Sequence, residues 1–260
     1  MKSLIRKLLK QIEKEKGIKI LFAVENGSRA WRMESKNSDY DVRFIFKRPL
    51  KEYLTINPSD PVITKSYDKH GKPMGQEGCV IDIEGFDIFK FGKMLASSNP
   101  TIIEWLTSDI VYLGTKSRIF TSYAKNQFKQ ISLYYHYGSM CRQNYLKYIK
   151  TRNNVTYKKY LYAMRGLINA LYVKEFNKVP PIVFNEAVNK VDAPWHIKTK
   201  LMEVINMKKS GKEKDIEDVI PQFDNYIEKF IKTMQEEAPN NTPRQTVHDI
   251  NKEIQRLLLK

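Results

Sequence analysis

Asp39 and Asp41 stand one residue apart at the head of an alternating run, Tyr40 to Phe46, and a Gly27-Ser28 pair closes an earlier apolar run, Ile18 to Glu25. Residues two apart on a strand point to the same face, so the two carboxylates are presented side by side. Like charges that close are unfavourable without a cation between them, and hard Mg²⁺ or Mn²⁺ matches oxygen ligands. A glycine at a strand-to-helix turn lets backbone N–H groups approach a phosphate. A phosphate cradle beside a metal-binding carboxylate pair is what in-line phosphoryl or nucleotidyl transfer requires. A third acid on a neighbouring strand would complete the set. Asp82 and Glu84 both offer one, and Asp82 is preferred because Glu84 adjoins the Gly85 turn. Taken singly, an Asp-x-Asp spacing is common on loops and a Gly-Ser pair is weaker still. In this order, with strands and a turn around them, they are far more specific.

The elements that must position these residues are legible from periodicity and punctuation. Ile18 to Glu25 reads as a buried strand, Asn26-Gly27-Ser28 as its break, Arg29 to Met33 as a short helix and Tyr40 to Phe46 as a second strand. Residues 49–77 carry Pro, Gly, Asn and Asp at intervals and read as a long excursion with marginal strand content. Cys79 to Glu84 is a third strand, followed by Asp87 as the N-cap of a helix over Ile88 to Ser97. Asn99-Pro100 opens another helix, and Val111 to Leu113 adds a short strand. From about Lys116 helical periodicity takes over, in Ser117–Thr151, Thr156–Phe176, Pro194–Lys208, Glu213–Glu237 and Thr246–Leu259. Pro180-Pro181 and Pro239-Asn240-Asn241 punctuate these helices. The N-terminal stretch to Gly17 is an amphipathic helix with Leu4, Ile5, Leu8, Leu9 and Ile12 on one face. The expectation is an α+β domain over residues 1–114 and an all-helical domain over 115–260.

At this point the residues resemble a family. Gly27-Ser28 followed by Asp39-x-Asp41 is similar to the DNA polymerase β-like nucleotidyltransferase superfamily. The fuller string ENGSRAWRMESKNSDYDVRFIF (residues 25–46) resembles its bacterial and phage branch of the YcgL/RlaP type, some members of which are associated with RNA ligases and RNA repair. IDIEGFDIFKFGKMLASSNPTIIEWL (81–106), SDIVY (108–112) and KKYLYAMRGLINALYV (158–173) extend the likeness, which runs from about Leu21 to Tyr172. The resemblance implies a mixed sheet with flanking helices, two bound Mg²⁺ or Mn²⁺ ions held by Asp39, Asp41 and Asp82, and a nucleoside triphosphate whose β- and γ-phosphates lie on Gly27 and Ser28. It further implies that Asp82 orients or deprotonates the attacking hydroxyl. The chain departs from the pattern at Asn26, where Ser or a Gly-like residue is common, and at Arg32, where Gly follows the Ala-Trp pair. Neither departure removes a metal ligand.

Other residues carry two readings each. Arg29 could contact phosphate or pair with Glu34, and Arg43 shares the face of Asp39 and Asp41 and could form an ion pair with them. Lys90 matches a family lysine, while by texture it is a solvated helix residue. Lys159 and Arg165, six residues apart in a basic-aromatic helix, are candidate nucleotide-binding cations of the kind that helical domains of polymerase β-like enzymes bring to their cleft; the plain alternative is surface charge flanking Leu161, Met164 and Leu167. The cluster Tyr134, Tyr135, His136, Tyr137 could stack a base but suits a helix core. Trp31, Trp105 and Trp195 are assigned to packing.

The bulk composition agrees with this reading. Lys and Arg number 45 against 29 Asp and Glu, a net charge of +16 that favours a polyanionic partner, nucleic acid best and nucleotide phosphates too; the resemblance narrows the nucleic acid to RNA or tRNA. A lysine-rich coding bias would produce part of the same surplus. Two distant cysteines, Cys79 and Cys141, and four histidines without paired spacing argue against a disulfide framework or a His/Cys metal site and suit a reducing cytoplasm. No apolar run reaches bilayer length, so a membrane is not an expected partner. The expected activity is transfer of an NMP from an NTP to a hydroxyl, such as an RNA 3′ end, with release of pyrophosphate. The alternatives are a toxin–antitoxin-type nucleotidyltransferase acting on a protein or tRNA, and a catalytically silent RNA-binding scaffold.

Overall fold

Helix α1 (Lys2–Lys16) turns Ile5, Leu8, Leu9 and Ile12 inward and ends where Gly17 adopts the left-handed conformation (φ 60°) that releases the chain from the helix. The computed structural model describes residues 1–152, 155–212, 219–240 and 246–259. β1 (Lys19–Asn26) follows, then the single turn α2 (Gly27–Ala30), β2 (Tyr40–Lys47), β3 (Val62–Tyr67) and β4 (Ile81–Asp87). α3 (Ile88–Ala96) begins at Asp87, whose carboxylate accepts the Phe89 N–H, and α4 (Pro100–Thr107) begins at Asn99, whose side chain accepts the Thr101 N–H. β5 (Val111–Gly114) and α5 (Arg118–Asn126) complete this part of the chain.

The five strands form one mixed sheet in the order β3-β4-β2-β1-β5. β2 and β4 are parallel and every other neighbouring pair is antiparallel. Alternation gives the sheet two faces. Val42, Phe44 and Phe46 of β2 and Ile81 and Ile83 of β4 pack under the apolar stripe of α1. On the other face Phe22 meets Phe91 of α3 and Phe86 meets Trp105 of α4, at ring separations of 6.2 and 4.7 Å. Asp41, Arg43, Asp82 and Glu84 alternate with the first set, so they occupy this second face near the strand beginnings.

The helical part comprises α6 (Gln130–Asn144), a π-helical turn at Tyr145–Ile149, α7 (Tyr157–Phe176), α8 (Phe184–Lys190), α9 (Trp195–Lys209) and α10 (Pro221–Thr233), and α11 (His248–Leu258) follows it. α7 is the hub, touching α6, α8, α9 and α10. Gly166 permits its crossing with α6: a Cβ there would lie 2.7 Å from both Cys141 N and Tyr137 O. Tyr134 and Tyr137 are buried in this core.

Contacts divide the chain into two units. One comprises Met1–Ala30, Ser38–Gln127 and Gln245–Lys260; the other comprises Trp31–Asn37 and Phe128–Arg244. The division differs from the expected boundary at 114/115 because α5 packs on α4, and α11 returns to pack on α3 and α5. Several local expectations also change. The short helix lies at Gly27–Ala30 rather than Arg29–Met33, β3 emerges inside the 49–77 excursion, and α8 arises where no helix is expected. The stretch Ser117–Thr151 is two helices, and residues 213–218 of the expected 213–237 helix, with Asn241, lie outside the described residues. Trp195 is 77% exposed at the start of α9, contrary to its assignment to packing, whereas Trp31 and Trp105 are buried. Among the described residues no helix is long and apolar enough to cross a membrane.

Candidate active site

The register of three strands draws a row of side chains across the second face of the sheet. Asn26 of β1 pairs with Asp41 of β2, and Asp41 pairs with Asp82 of β4. Glu84 stands one rung further on, opposite Arg43, so Asp82 is the acid beside Asp41. Arg43 holds the pair together: its Nη2 donates to Asp41 Oδ1 at 3.0 Å and to Asp82 Oδ2 at 2.8 Å, and its Nε lies 4.0 Å from Glu84 Oε2. The two like charges are thus compensated by a guanidinium, the ion pair open to Arg43 in the sequence. Among the described residues no three His, Cys, Asp or Glu side chains are drawn together as a ligand shell.

The turn before α2 is built around the same carboxylates. Gly27 has φ 62°, and a Cβ there would run into Asp41 Oδ2, so only glycine leaves room for both. Asp39 lies just ahead of β2 on an exposed loop, and Arg29 steadies it by donating from Nε to Asp39 O at 3.0 Å and from Nη2 to Ser38 O at 2.6 Å. The Arg29 guanidinium also lies over the Tyr40 ring, 3.8 Å from its centroid. Arg29 thus donates to the carbonyls of the loop that carries Asp39.

Beneath the row is a residue the spacing argument passed over. Glu25 is 0% exposed; its carboxylate accepts the Asp41 N–H at 2.7 Å and the Tyr112 hydroxyl, while its main-chain carbonyl accepts Ser108 Oγ at 2.6 Å. Burial outweighs these two hydrogen bonds and pushes the Glu25 carboxyl up from 4.5 to about 7. Burial and the neighbouring Glu25 likewise raise the Tyr112 hydroxyl. The signal in the sequence is a lone acid inside the apolar run IKILFAVE. Cys79 is near the row as well, and burial, then Asp82 and Asp39, push its thiol up, which keeps it protonated and unreactive.

Two buried oxygens in the row have no hydrogen-bond partner, Asp82 Oδ1 and Asn26 Oδ1. A buried carboxylate oxygen without a donor is unfavourable unless something else occupies it. The adjacent carboxylates of Asp41 and Asp82, one oxygen of which is orphaned, are donors of the kind a hard divalent cation takes.

The remaining candidate residues belong to the second unit. Arg165 is 5% exposed, with its guanidinium 3.6 Å from the Trp31 ring centroid, so it is packed within that unit rather than presented as a surface cation. Lys159 rests over the Tyr148 ring at 4.2 Å. Arg32, in the same unit, has φ 59°, a left-handed conformation that accounts for the glycine expected there.

A mixed sheet carrying a carboxylate row beside a glycine turn is the ground plan of a polymerase β-like nucleotidyltransferase. The profile described as "RNA repair pathway DNA polymerase beta family" (RlaP) matches residues 1–260. The chain belongs to this family. It is 33% identical over 261 residues to "Uncharacterized protein YcgL" of Bacillus subtilis (strain 168), covering 100% of this chain and 95% of that protein. It also aligns with the crystal structure of a nucleotidyltransferase-like protein from Exiguobacterium sibiricum 255-15 at a TM-score of 0.31 and 10% identity, over 96% of this chain and 76% of that one.

Proposed function

We propose that the chain transfers an NMP from an NTP to a hydroxyl acceptor, an RNA 3′ end by preference, and releases pyrophosphate. The observation that carries this reading is the register that sets Asp41 beside Asp82 while Gly27 abuts Asp41. Asp39, Asp41 and Asp82 would hold Mg²⁺ or Mn²⁺, two ions in the full assembly, which when bound neutralise charge on the triphosphate and polarise the attacked phosphorus. Gly27 and Ser28 offer the triphosphate a close backbone approach, with no Cβ at residue 27 to obstruct it. Arg29 fixes the Asp39 loop, and Glu25 fixes the backbone of Asp41. Asp82 would orient the acceptor hydroxyl and take its proton as the new P–O bond forms and the bond to pyrophosphate breaks. The family's association with RNA repair and the net charge of +16 support a nucleic-acid acceptor.

The test is incubation with each labelled NTP, Mg²⁺ or Mn²⁺ and a mixed RNA pool, with the parent protein and an Asp39→Ala/Asp41→Ala variant. The reading expects label on RNA only with the parent and only with metal. Transfer that persists in the variant refutes the site. Label on a protein or on tRNA alone redirects the acceptor, and absence of both transfer and metal-dependent NTP binding leaves a silent scaffold.

A further inference from the structure

The sheet unit carries a second concavity, at the opposite end of the strands from the carboxylate row. Along β4, Asp87 lies five residues or about 16 Å beyond Asp82. There the segment after β2 folds beside α3 and encloses about 700 Å³, the size of a ligand or peptide pocket. Its lining is mainly apolar, from Leu50, Tyr53, Leu54, Phe89 and Met94 with Pro58 and Pro61. The floor is rigid: Tyr53 donates its hydroxyl to Asp87 Oδ2 at 2.6 Å and meets the Phe89 ring edge-on at 5.0 Å. The apolar surface does not stop at the rim. Leu54 of the lining is 77% exposed and Ile56, two residues further along the chain, is 98% exposed; Leu50 and Phe89 of the lining are also exposed. Exposed apolar side chains in and next to an open pocket mark a macromolecular contact rather than an enclosed small molecule.

Charge selects the partner. Both acids of the groove are engaged internally, Glu52 with Arg48 at 3.5 Å, and Asp87 with Tyr53 and the Phe89 N–H. Lys90 and Lys93, neighbours on one face of α3, both line the groove; Lys90 lies over the Phe86 ring, 4.6 Å from its centroid. The rim is therefore cationic around an aliphatic trough. Single-stranded RNA would need open aromatic faces, and the one exposed ring, Phe89, is engaged by Tyr53. A second copy of a chain of net charge +16 would oppose cation to cation. We propose that this groove docks an amphipathic helix of a partner protein, its apolar face in the trough and its acidic flank on Lys90 and Lys93.

The probe is a labelled synthetic helix with Leu on one face and Glu on the other, and a counterpart with Lys in place of Glu, measured by fluorescence anisotropy. The parent protein binds the Glu helix and not the Lys helix. Lys90→Glu/Lys93→Glu weakens the Glu helix by about tenfold or more and strengthens the Lys helix. Leu54→Ser/Ile56→Ser weakens the Glu helix, and an unchanged thermal transition shows that these surface variants fold. The proposal is overturned if neither helix binds, if both bind equally, or if charge reversal has no effect. It is equally overturned if single-stranded RNA or anionic vesicles compete better than the Glu helix, or if the parent self-associates and Leu54→Ser abolishes that. None of these readouts depends on NTP transfer.

Discussion

Glu25→Gln separates the stability of the sheet unit from its proposed chemistry. Glutamine keeps the shape of the side chain and an oxygen acceptor for the Asp41 N–H, while the Tyr112 hydroxyl can rotate to accept from the new amide. What changes is the titration. Below pH 4.5 the Glu25 carboxyl is protonated in the folded and unfolded chains alike and has no linked effect. As pH rises from 4.5 to about 7 the unfolded chain sheds the proton first, so stability falls through this window; above about 7 both forms are ionised and the deficit is constant. A displacement from 4.5 to about 7 corresponds to about 3 kcal/mol. The variant is expected to match the parent at low pH and to exceed it by roughly that amount at about pH 8. The assay is urea denaturation in EDTA, read by hydrogen exchange at the amides of β1 and β2 so that the sheet unit is followed separately. Since every other acid is common to both proteins, the difference between their pH profiles isolates Glu25. Parallel profiles would refute the reasoning, showing that Glu25 titrates normally in the fold.

Three further outcomes follow from the same geometry. Gly27→Ala forces a Cβ toward Asp41 Oδ2 at a positive φ, and is expected to destabilise the sheet unit by about 2 kcal/mol and to abolish metal-dependent NTP binding; binding at the parental level in a calorimeter would contradict it. Arg43→Met removes the guanidinium that bridges Asp41 and Asp82, lowering stability by about 2 kcal/mol in EDTA, with much of the loss recovered in Mn²⁺; an equal loss in both buffers, by thermal shift, would show that no cation can replace the guanidinium. Gly166→Ala overfills the α6–α7 crossing and is expected to lower the stability of the helical unit by about 2 kcal/mol, seen as faster exchange in α6 and α7 with β1 and β2 unchanged.

Local signals carried well from sequence to structure. The Asp87 cap, the Asn99-Pro100 start and the strands around Gly27 and Asp41 are written in a few adjacent residues, and each is present in the fold. The β2–β4 register sets Asp41 beside Asp82, while Asp39, expected on the same strand face, lies just ahead of β2 on an exposed loop. What escaped depends on distant partners. β3 exists because β4 pairs with it, and its burial pattern is too irregular to separate it from the loop around it. The boundary at 114 followed the change of texture, yet α5 owes its place to α4 and α11, over a hundred residues of sequence away in the latter case. Glu25 was passed over because its environment comes from Tyr112, Ser108 and Asp41 on other elements, and Trp195 because aromatic content alone does not say which way a helix faces.

The return of α11 to the sheet unit sets an order on biosynthesis. Ile254 of α11 occupies the space over Gly92 on α3, and Ser117 at the head of α5 donates to Glu253 at 2.6 Å, so this corner closes only with α11 in place. α5 ends at Asn126 and α11 begins at His248, so a ribosome adding about 5–20 residues per second separates their appearance by on the order of ten seconds. During that interval the helical unit is itself being made, while the nascent sheet unit keeps an apolar surface uncovered. The emerging chain is therefore most open to chaperones at the α3–α5 corner, and a stalled ribosome would hold it in that incomplete state.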